Sequence, residues 1–426
     1  MQHLIIGAGP AGVVAAETLR KHDPEAGITL LTSEPEPPYS RMAIPYLLVD
    51  QIDEPGTYLR KNPAHFAQQR IDVRTNVRVG SVDPGRHRVR LDSGEELVYD
   101  RLLVATGSHP VIPPIPGVDL PGVQTCWTLA DARQLIQRAA PGASVVLIGA
   151  GFIGCIILEA LVGRGARLTV VEQQDRMVPR MMDTRAGGLI KAWCQGKGVD
   201  VRTDTRVEAV EPGAAGSPLS VRLDDGAQVP ADLVIVCVGV ATNTEFMAGS
   251  GVACEQGLLV DRHLQTSVAD IYAAGDVAQG VDFSTGGQAV HAVQPTAADH
   301  GRIAALNMCG RPIRYQGSVN MNVLDTLGLI STSFGLWMGA DGGESAQLYA
   351  PESFRYINLQ FADDRLIGAS ALGMTDHVGV MRGLIQSRVR LGSWKAKLMR
   401  DPTRVMEAYL ACTQPVGHNA RLARAS

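Results

Sequence analysis

One phrase, a short apolar strand, then G-x-G-x-x-G, then a helix, a second strand and an acid, is written twice in this chain. No other feature restricts its fold as much. The copies are HLIIGAGPAGVVAAETL, from His3, and VVLIGAGFIGCIILEALV, from Val145. The opening runs, Leu4 to Ile6 and Val145 to Ile148, suit buried parallel strands. Gly7, Gly9 and Gly12 follow the first, and Gly149, Gly151 and Gly154 the second. In such a motif the first glycine permits a tight turn and the second lets a pyrophosphate reach the backbone. The third lets helix pack on strand. The helices then begin at Pro10-Ala11 and at Phe152-Ile153, where free N–H groups and the positive helix end hold phosphates. An acid completes each copy: the strand from Ile28 leads to Glu34, and the strand from Leu168 to Glu172. Each acid lies about 20 residues past its glycines, where a carboxylate accepts hydrogen bonds from a ribose diol. Two dinucleotide sites are expected.

The second copy is also apolar enough to raise the alternative of a membrane helix. Its glycine cluster and Glu159 make a lipid-facing helix unfavourable, so no transmembrane segment is expected. The chain has 426 residues, 45% apolar and 19% charged, which fits a globular enzyme of more than one domain. A net charge of −4 gives no reason to expect a nucleic-acid partner. Met1 runs almost directly into an apolar strand without a basic n-region, so no signal peptide is expected and a cytoplasmic location is. The seven cysteines are scattered without a CxxC pair, against a disulfide framework, a zinc site or a vicinal redox pair. No metal site is expected.

Two such units in one chain suggest a hydride relay between two cofactors. Further signatures stand around them. DRLLVATGSHPVIPPIPG runs from Asp100 and contains Ala105, Thr106 and Gly107; LQTSVADIYAAGDVAQ runs from Leu264 and contains Gly275 and Asp276. Together these resemble the FAD-dependent pyridine-nucleotide oxidoreductases, the superfamily of glutathione reductase, over nearly the whole chain. The resemblance implies an α/β fold with two Rossmann-like dinucleotide-binding domains, one for FAD and one for NAD, plus a small α+β C-terminal domain. It puts the ADP half of FAD on the first unit, with Glu34 at its ribose, and the nicotinamide nucleotide on the second, with Glu172 at its ribose. An acid there repels a 2′-phosphate, so NADH is expected over NADPH; Arg176 and Arg180 nearby could soften that preference. By the same resemblance Val77, Ala105, Thr106, Gly107, Gly275 and Asp276 join the FAD site, and Gly239 approaches the nicotinamide.

HAVQPTAADHGRIAALNMCG, from His291, reads as a helix started by Gln294 and Pro295. Proline suits the first helical turn, and the free N–H groups there favour an anion. In the superfamily this helix start faces the flavin, which gives Gln294 and Pro295 a cofactor role. His291 and His300 tempt as acid–base groups, but hydride transfer needs none, so no catalytic residue is assigned. His300 is expected on the helix surface.

The disulfide-reducing members carry redox cysteines after the first acid. Here that tract, SEPEPPYSRMAIPYLLVD from Ser33, has none. It is similar instead to the rubredoxin and ferredoxin reductases and to the flavoprotein part of NADH-dependent nitrite reductase, with Arg41 matching the arginine of their YSRP motif and contacting FAD. Met42 replaces the motif's proline, a lysine common a few residues on is lost near Tyr46, and Ile156 replaces a glutamate.

The expected layout is an FAD domain in two parts, residues 1–112 and 242–310, around an NAD(H) domain, 113–241, with a C-terminal interface domain, 311–426. In the last, FRYINLQFADDRLIGASALG from Phe354 reads as a hairpin turning at Ala362 to Arg365, and Asp401-Pro402 reads as a helix start. From Arg382 onward cations dominate, among them Arg388, Arg390, Lys395, Lys397, Arg421 and Arg424. The expected activity is FAD-dependent NAD(P)H oxidation that passes electrons to a rubredoxin, a ferredoxin or a metal-containing reductase subunit. An acidic electron carrier would meet the cations, and the C-terminal domain could form a homodimer. The alternatives are an NADH oxidase using oxygen, and a flavin- and NADH-binding signalling protein resembling apoptosis-inducing factor.

Overall fold

The computed structural model describes residues 1–213 and 216–422, the side chains of 414–422 excepted. The elements that position the sites begin with β1 (Gln2–Ile6), α1 (Pro10–His22), β2 (Gly27–Leu31), β3 (Asp72–Arg74) and β4 (Arg101–Val104). Next come β5 (Ser144–Ile148), α2 (Phe152–Gly163), β6 (Arg167–Val171), α3 (Thr184–Gly196), β7 (Asp200–Arg202) and β8 (Leu233–Val236). β9 (Ile271–Ala273) and α4 (Gln294–Met308) follow. The C-terminal part holds β10 (Met321–Thr326), β11 (Leu329–Gly335), β12 (Glu344–Ala350), β13 (Arg355–Ala362) and β14 (Arg365–Leu372). It ends in α5 (Val378–Ser387), α6 (Ser393–Arg400) and α7 (Val405–Leu422).

The chain divides into two units. The first comprises Met1–Val111, Trp127–Ala132 and Val240–Ser318. Its main sheet is parallel, in the order β9-β4-β1-β2-β3. β1 sits between β4 and β2, so the chain leaves it in both directions and a crevice opens at its carboxyl end, above Gly7. Both faces of the sheet are covered, and β1, β2 and β4 are accordingly runs of Leu, Ile and Val with Ile5, Leu30 and Leu102 fully buried. α1 and α4 lie together over one side of it. A Cβ on Gly301 of α4 would stand 2.2 Å from the Ala11 carbonyl oxygen, so the contact needs glycine.

The second unit comprises Ile112–Cys126, Arg133–Gly239 and Val319–Ser426. It repeats the arrangement, with β7-β6-β5-β8 parallel and the short strand Val123–Gln124 at the edge. It also holds an antiparallel sheet in the order β10-β11-β14-β13-β12. Phe334, Ile357, Leu359 and Ala369 on one face of that sheet pack with Met381, Leu384 and Leu398 from the helices that follow. Its other face buries Ser331, Ser333, Asn358 and Ser370. There the Tyr356 hydroxyl donates to Asp183, the residue that caps α3, and Trp193 Nε1 donates to the Leu327 carbonyl at 3.2 Å.

The hairpin is where the sequence places it, with Ala362 opposite Arg365. Asp363 and Asp364 both take positive φ, 47° and 61°, as a two-residue turn matched to strand twist requires. Asp401-Pro402 does not start a helix. The Asp401 carboxylate accepts from the Thr403 N–H (3.0 Å) and hydroxyl (2.6 Å), closing a turn, and α7 begins only at Val405. Among the described residues no helix is long and apolar enough to cross a membrane; α2, the apolar candidate, is a 12-residue Rossmann helix.

Candidate functional site

In the first unit the three glycines do three different things. Gly7 has φ +111°, and a Cβ there would lie 2.1 Å from the Ala105 carbonyl oxygen. A Cβ on Gly12 would lie 1.9 Å from the Gly7 carbonyl oxygen. Gly9 is different: a Cβ there would meet nothing within 4 Å. The open space above Gly9 is therefore what a side chain would fill, and it is the space the motif reserves for a pyrophosphate. Gly9 is also the N-cap of α1, with Pro10 at the helix start, no capping side chain and no acid in the first turn. Its positive end is free for an anion.

Around this cradle Ala105, Thr106 and Gly107 leave the end of β4. Thr106 and Asn243 are locked reciprocally, Thr106 Oγ1 donating to the Asn243 carbonyl and Asn243 Nδ2 to the Thr106 carbonyl, both at 2.8 Å. Gly107 takes φ +68° with open space at its Cβ position. Val77 donates its N–H to the Thr32 carbonyl (2.8 Å) at the end of β2 and packs on the core. Glu34 accepts from Arg41 at 2.6 Å and from the Tyr39 hydroxyl at 2.5 Å. A carboxylate has about four acceptor positions, so the pair leaves room for a ribose diol. Arg41 also donates to the Trp127 carbonyl (2.9 Å), and its guanidinium lies over the rings of Tyr39 and Trp127. Sequence reasoning missed Trp127, which belongs to no motif, and gave no role to Tyr39, the tyrosine of the YSRP-like tract.

Gly275 takes φ +78°, with Ala11 and Ala297 at its Cβ position, so the turn that carries Asp276 touches both α1 and α4. Asp276 accepts from the Ser108 hydroxyl at 2.8 Å. Burial pushes its carboxyl above the usual range, against the pull of Ser108 and Arg41. α4 begins at Gln294 with Pro295 next, uncapped and without an acid in its first turn. The Gln294 side-chain oxygen accepts from the Ser40 hydroxyl at 2.6 Å. Gly7, Gly9, Asp276 and the start of α4 thus belong to one end of one sheet. His300 is not on the surface as expected; it is 2% exposed, because Tyr315 from beyond the helix covers it edge-on. His291 Nε2 stands 3.0 Å from Asp282. Met42 and Tyr46, where the reductases carry proline and lysine, are exposed.

The second unit repeats the cradle. Gly149 (φ +100°) and Gly154 would place a Cβ 2.5 Å from the Cys237 carbonyl oxygen and 2.2 Å from that of Gly149. At Gly151 nothing lies within 4 Å, and Phe152 and Ile153 start α2 without a capping side chain. Glu172, 6% exposed, accepts from the Ala150 N–H (2.7 Å) and the Gln174 N–H (2.9 Å), which aims it along the glycine loop. Arg176 is engaged by Asp175 (2.5 Å) and the Met182 carbonyl (2.9 Å), whereas Arg180 is exposed. Gly239 takes φ +134° with open space at its Cβ position.

The same unit buries Cys155 and Cys194 and partly covers Cys237. Burial pushes Cys194 and Cys237 up to about 12, and Cys155 well above its ordinary range. Such thiols are poor nucleophiles, since the thiolate is the reactive form. Alkylation of the native protein is expected to mark exposed Cys254 and spare these three until unfolding, read by peptide mass mapping. An anaerobic reductive titration is expected to take up two electrons per flavin; four would reveal a redox-active cysteine pair.

Many of the C-terminal cations are engaged. Lys395 pairs with Glu344, Lys397 sits 3.9 Å from the Trp394 ring centroid, and Arg404 pairs with Glu407 at 3.2 Å. The side chains of Arg421 and Arg424 lie outside the described residues.

Two parallel sheets, each with a glycine cradle and an acid beyond it, define a double dinucleotide-binding oxidoreductase. Residues 1–297 match the family described as pyridine nucleotide-disulphide oxidoreductase, and the chain belongs to it. It is 33% identical to the NADH-dependent phenylglyoxylate dehydrogenase subunit epsilon of Aromatoleum evansii, over 95% of this chain and 96% of that protein. It is 28% identical to the rubredoxin-NAD(+) reductase of Pseudomonas putida, over 91% and 99%. Among solved structures, the ferredoxin reductase for the CYP199A2 system of Rhodopseudomonas palustris superposes with a TM-score of 0.80 at 27% identity, over 87% of this chain and 91% of that one.

Proposed function

We propose that this chain exchanges electrons between NADH and a separate redox protein by way of FAD. The doubled glycine cradle, without a cysteine in the tract from Ser33 to Asp50, carries this reading. Residues 1–112 and 242–310 hold FAD in it, residues 113–241 hold NADH, and residues 311–426 form the interface domain. The N–H groups around Gly9, Pro10 and Ala11 hold the FAD pyrophosphate, Glu34 its ribose, and Asp276 the flavin side. Gln294, Pro295, Arg41, Val77 and Ala105 to Gly107 line the rest. Gly151, Phe152 and Ile153 hold the NADH pyrophosphate, Glu172 its ribose, and Gly239 leaves room for nicotinamide. Bound FAD supplies the exchange between a two-electron hydride donor and one-electron carriers; the protein supplies position and electrostatics.

The partner is an electron carrier such as a rubredoxin or ferredoxin, or a metal-containing subunit. Similarity over 96% of a protein named as a subunit of a dehydrogenase favours a partner subunit over a free carrier. An acidic carrier suits Arg388 and Arg390, the cytoplasm suits the whole reading, and sedimentation of the pure protein distinguishes monomer from homodimer. Purified protein is expected to be yellow, to bleach with NADH anaerobically and to turn over steadily with ferricyanide. A colourless preparation that gains no flavin on reconstitution would sink the assignment. A long-lived NADH complex without turnover would favour the binding-protein alternative, and oxygen consumption matching turnover the oxidase.

A further inference from the structure

His300 lies in the seventh position of α4, next to the glycine that lets α4 touch α1. Its Nδ1 accepts the Gly275 N–H at 3.4 Å, so the ring proton sits on Nε2, which has no hydrogen-bond partner among the described residues. A buried polar atom without a partner costs stability, and the position tolerates it. Gly275 is the point where three cofactor-holding segments meet: the start of α1 at Ala11, the turn carrying Asp276, and α4 at Ala297. A neutral imidazole therefore fixes the backbone of the residue before Asp276. A protonated one has no lone pair to offer and would set a donor against that N–H.

We propose that His300 is a positioning residue for cofactor retention, whose neutral ring holds the Gly275–Asp276 turn in register with α1 and α4 and whose protonation lets the turn go. This rests on the reading that Asp276 and the α1 cradle hold FAD. Burial, with His291 nearby, pushes the imidazole down to about 4, so the ring stays neutral across the neutral range and titrates in mild acid. The titratable groups around it are Tyr315, whose hydroxyl bonds Ser318, and His291 with its partner Asp282. Asp276 stands one residue beyond Gly275, and its raised carboxyl titrates in acid as well. A test must separate the two.

FAD release from the loaded protein, followed by flavin fluorescence from pH 8 to pH 4, separates them through two variants. His300→Asn, whose Oδ1 takes the place of Nδ1, keeps an acceptor for the Gly275 N–H and removes the titration; His300→Leu removes both. Wild type is expected to release FAD ~5-fold faster at pH 4 than at pH 7, because about half the rings are protonated there and each has lost a hydrogen bond worth ~10-fold in release. His300→Asn should match wild type at pH 7 and lose most of the acid step. His300→Leu should release FAD ~10-fold faster at pH 7 while circular dichroism remains native. A folded His300→Leu that retains FAD like wild type overturns the proposal, and so does a His300→Asn with the wild-type acid profile. Should His300→Leu not fold, the His300→Asn profile decides alone. Wild type without flavin would instead overturn the FAD assignment itself.

Discussion

Gly9→Ala is expected to give a folded protein without flavin, whereas Gly12→Ala is expected to fail at the folding stage. The two positions are three residues apart in one motif, but the structure separates their duties. Gly9 has φ −74° and ψ −174°, extended backbone that any residue adopts, and its Cβ position is clear for 4 Å. An alanine there costs the protein alone little. It fills the space where a pyrophosphate must approach the helix N–H groups, and losing two charge-assisted hydrogen bonds costs about 3 kcal/mol or more, roughly 100-fold in affinity. Gly12→Ala instead drives a methyl to 1.9 Å from the Gly7 carbonyl oxygen, with Leu30 at 3.3 Å. Neither the loop nor β2 can yield without lifting α1 off the sheet, an overpacking cost of about 3 kcal/mol. Thermal unfolding of the flavin-free proteins checks the folding of both variants, and flavin absorbance checks the loss of cofactor from Gly9→Ala. A yellow Gly9→Ala protein would overturn the reading of that cradle.

This separation shows what the sequence made legible. The glycines, the acids beyond β2 and β6, and the hairpin at Asp363 are local: spacing alone encodes them. His300 is not local. By α4 periodicity it could face either way, and Tyr315, outside the helix, decides. Arg41 was legible as a motif residue, but the Tyr39 and Trp127 rings beneath it come together only through the fold. The cluster formed by Cys155, Cys194 and Cys237 is likewise assembled from α2, α3 and the end of β8, far apart in sequence. Asp401 misled for the opposite reason. Asp-Pro starts turns as readily as helices, and the local bond to Thr403 takes the carboxylate that a helix would have used.

Glu172→Gln is expected to raise the KM for NADH and to narrow the discrimination against NADPH by roughly 10- to 100-fold, about 1–3 kcal/mol of removed repulsion toward a 2′-phosphate. Glutamine is the informative replacement. The carboxylate holds the N–H groups of Ala150 and Gln174, and alanine would leave both unsatisfied at a nearly buried position. That loss, about 1–3 kcal/mol for each group, would disturb the glycine loop and confound the charge effect. Glutamine removes the charge and keeps one acceptor, so only one of the two N–H groups loses its partner where alanine would strip both. The gain for NADPH should stay partial, because Arg176 is engaged by Asp175 and the Met182 carbonyl and only exposed Arg180 is open to a phosphate. Steady-state kinetics with both nucleotides measure the ratio. A wild type that already prefers NADPH would show that Glu172 serves the loop alone.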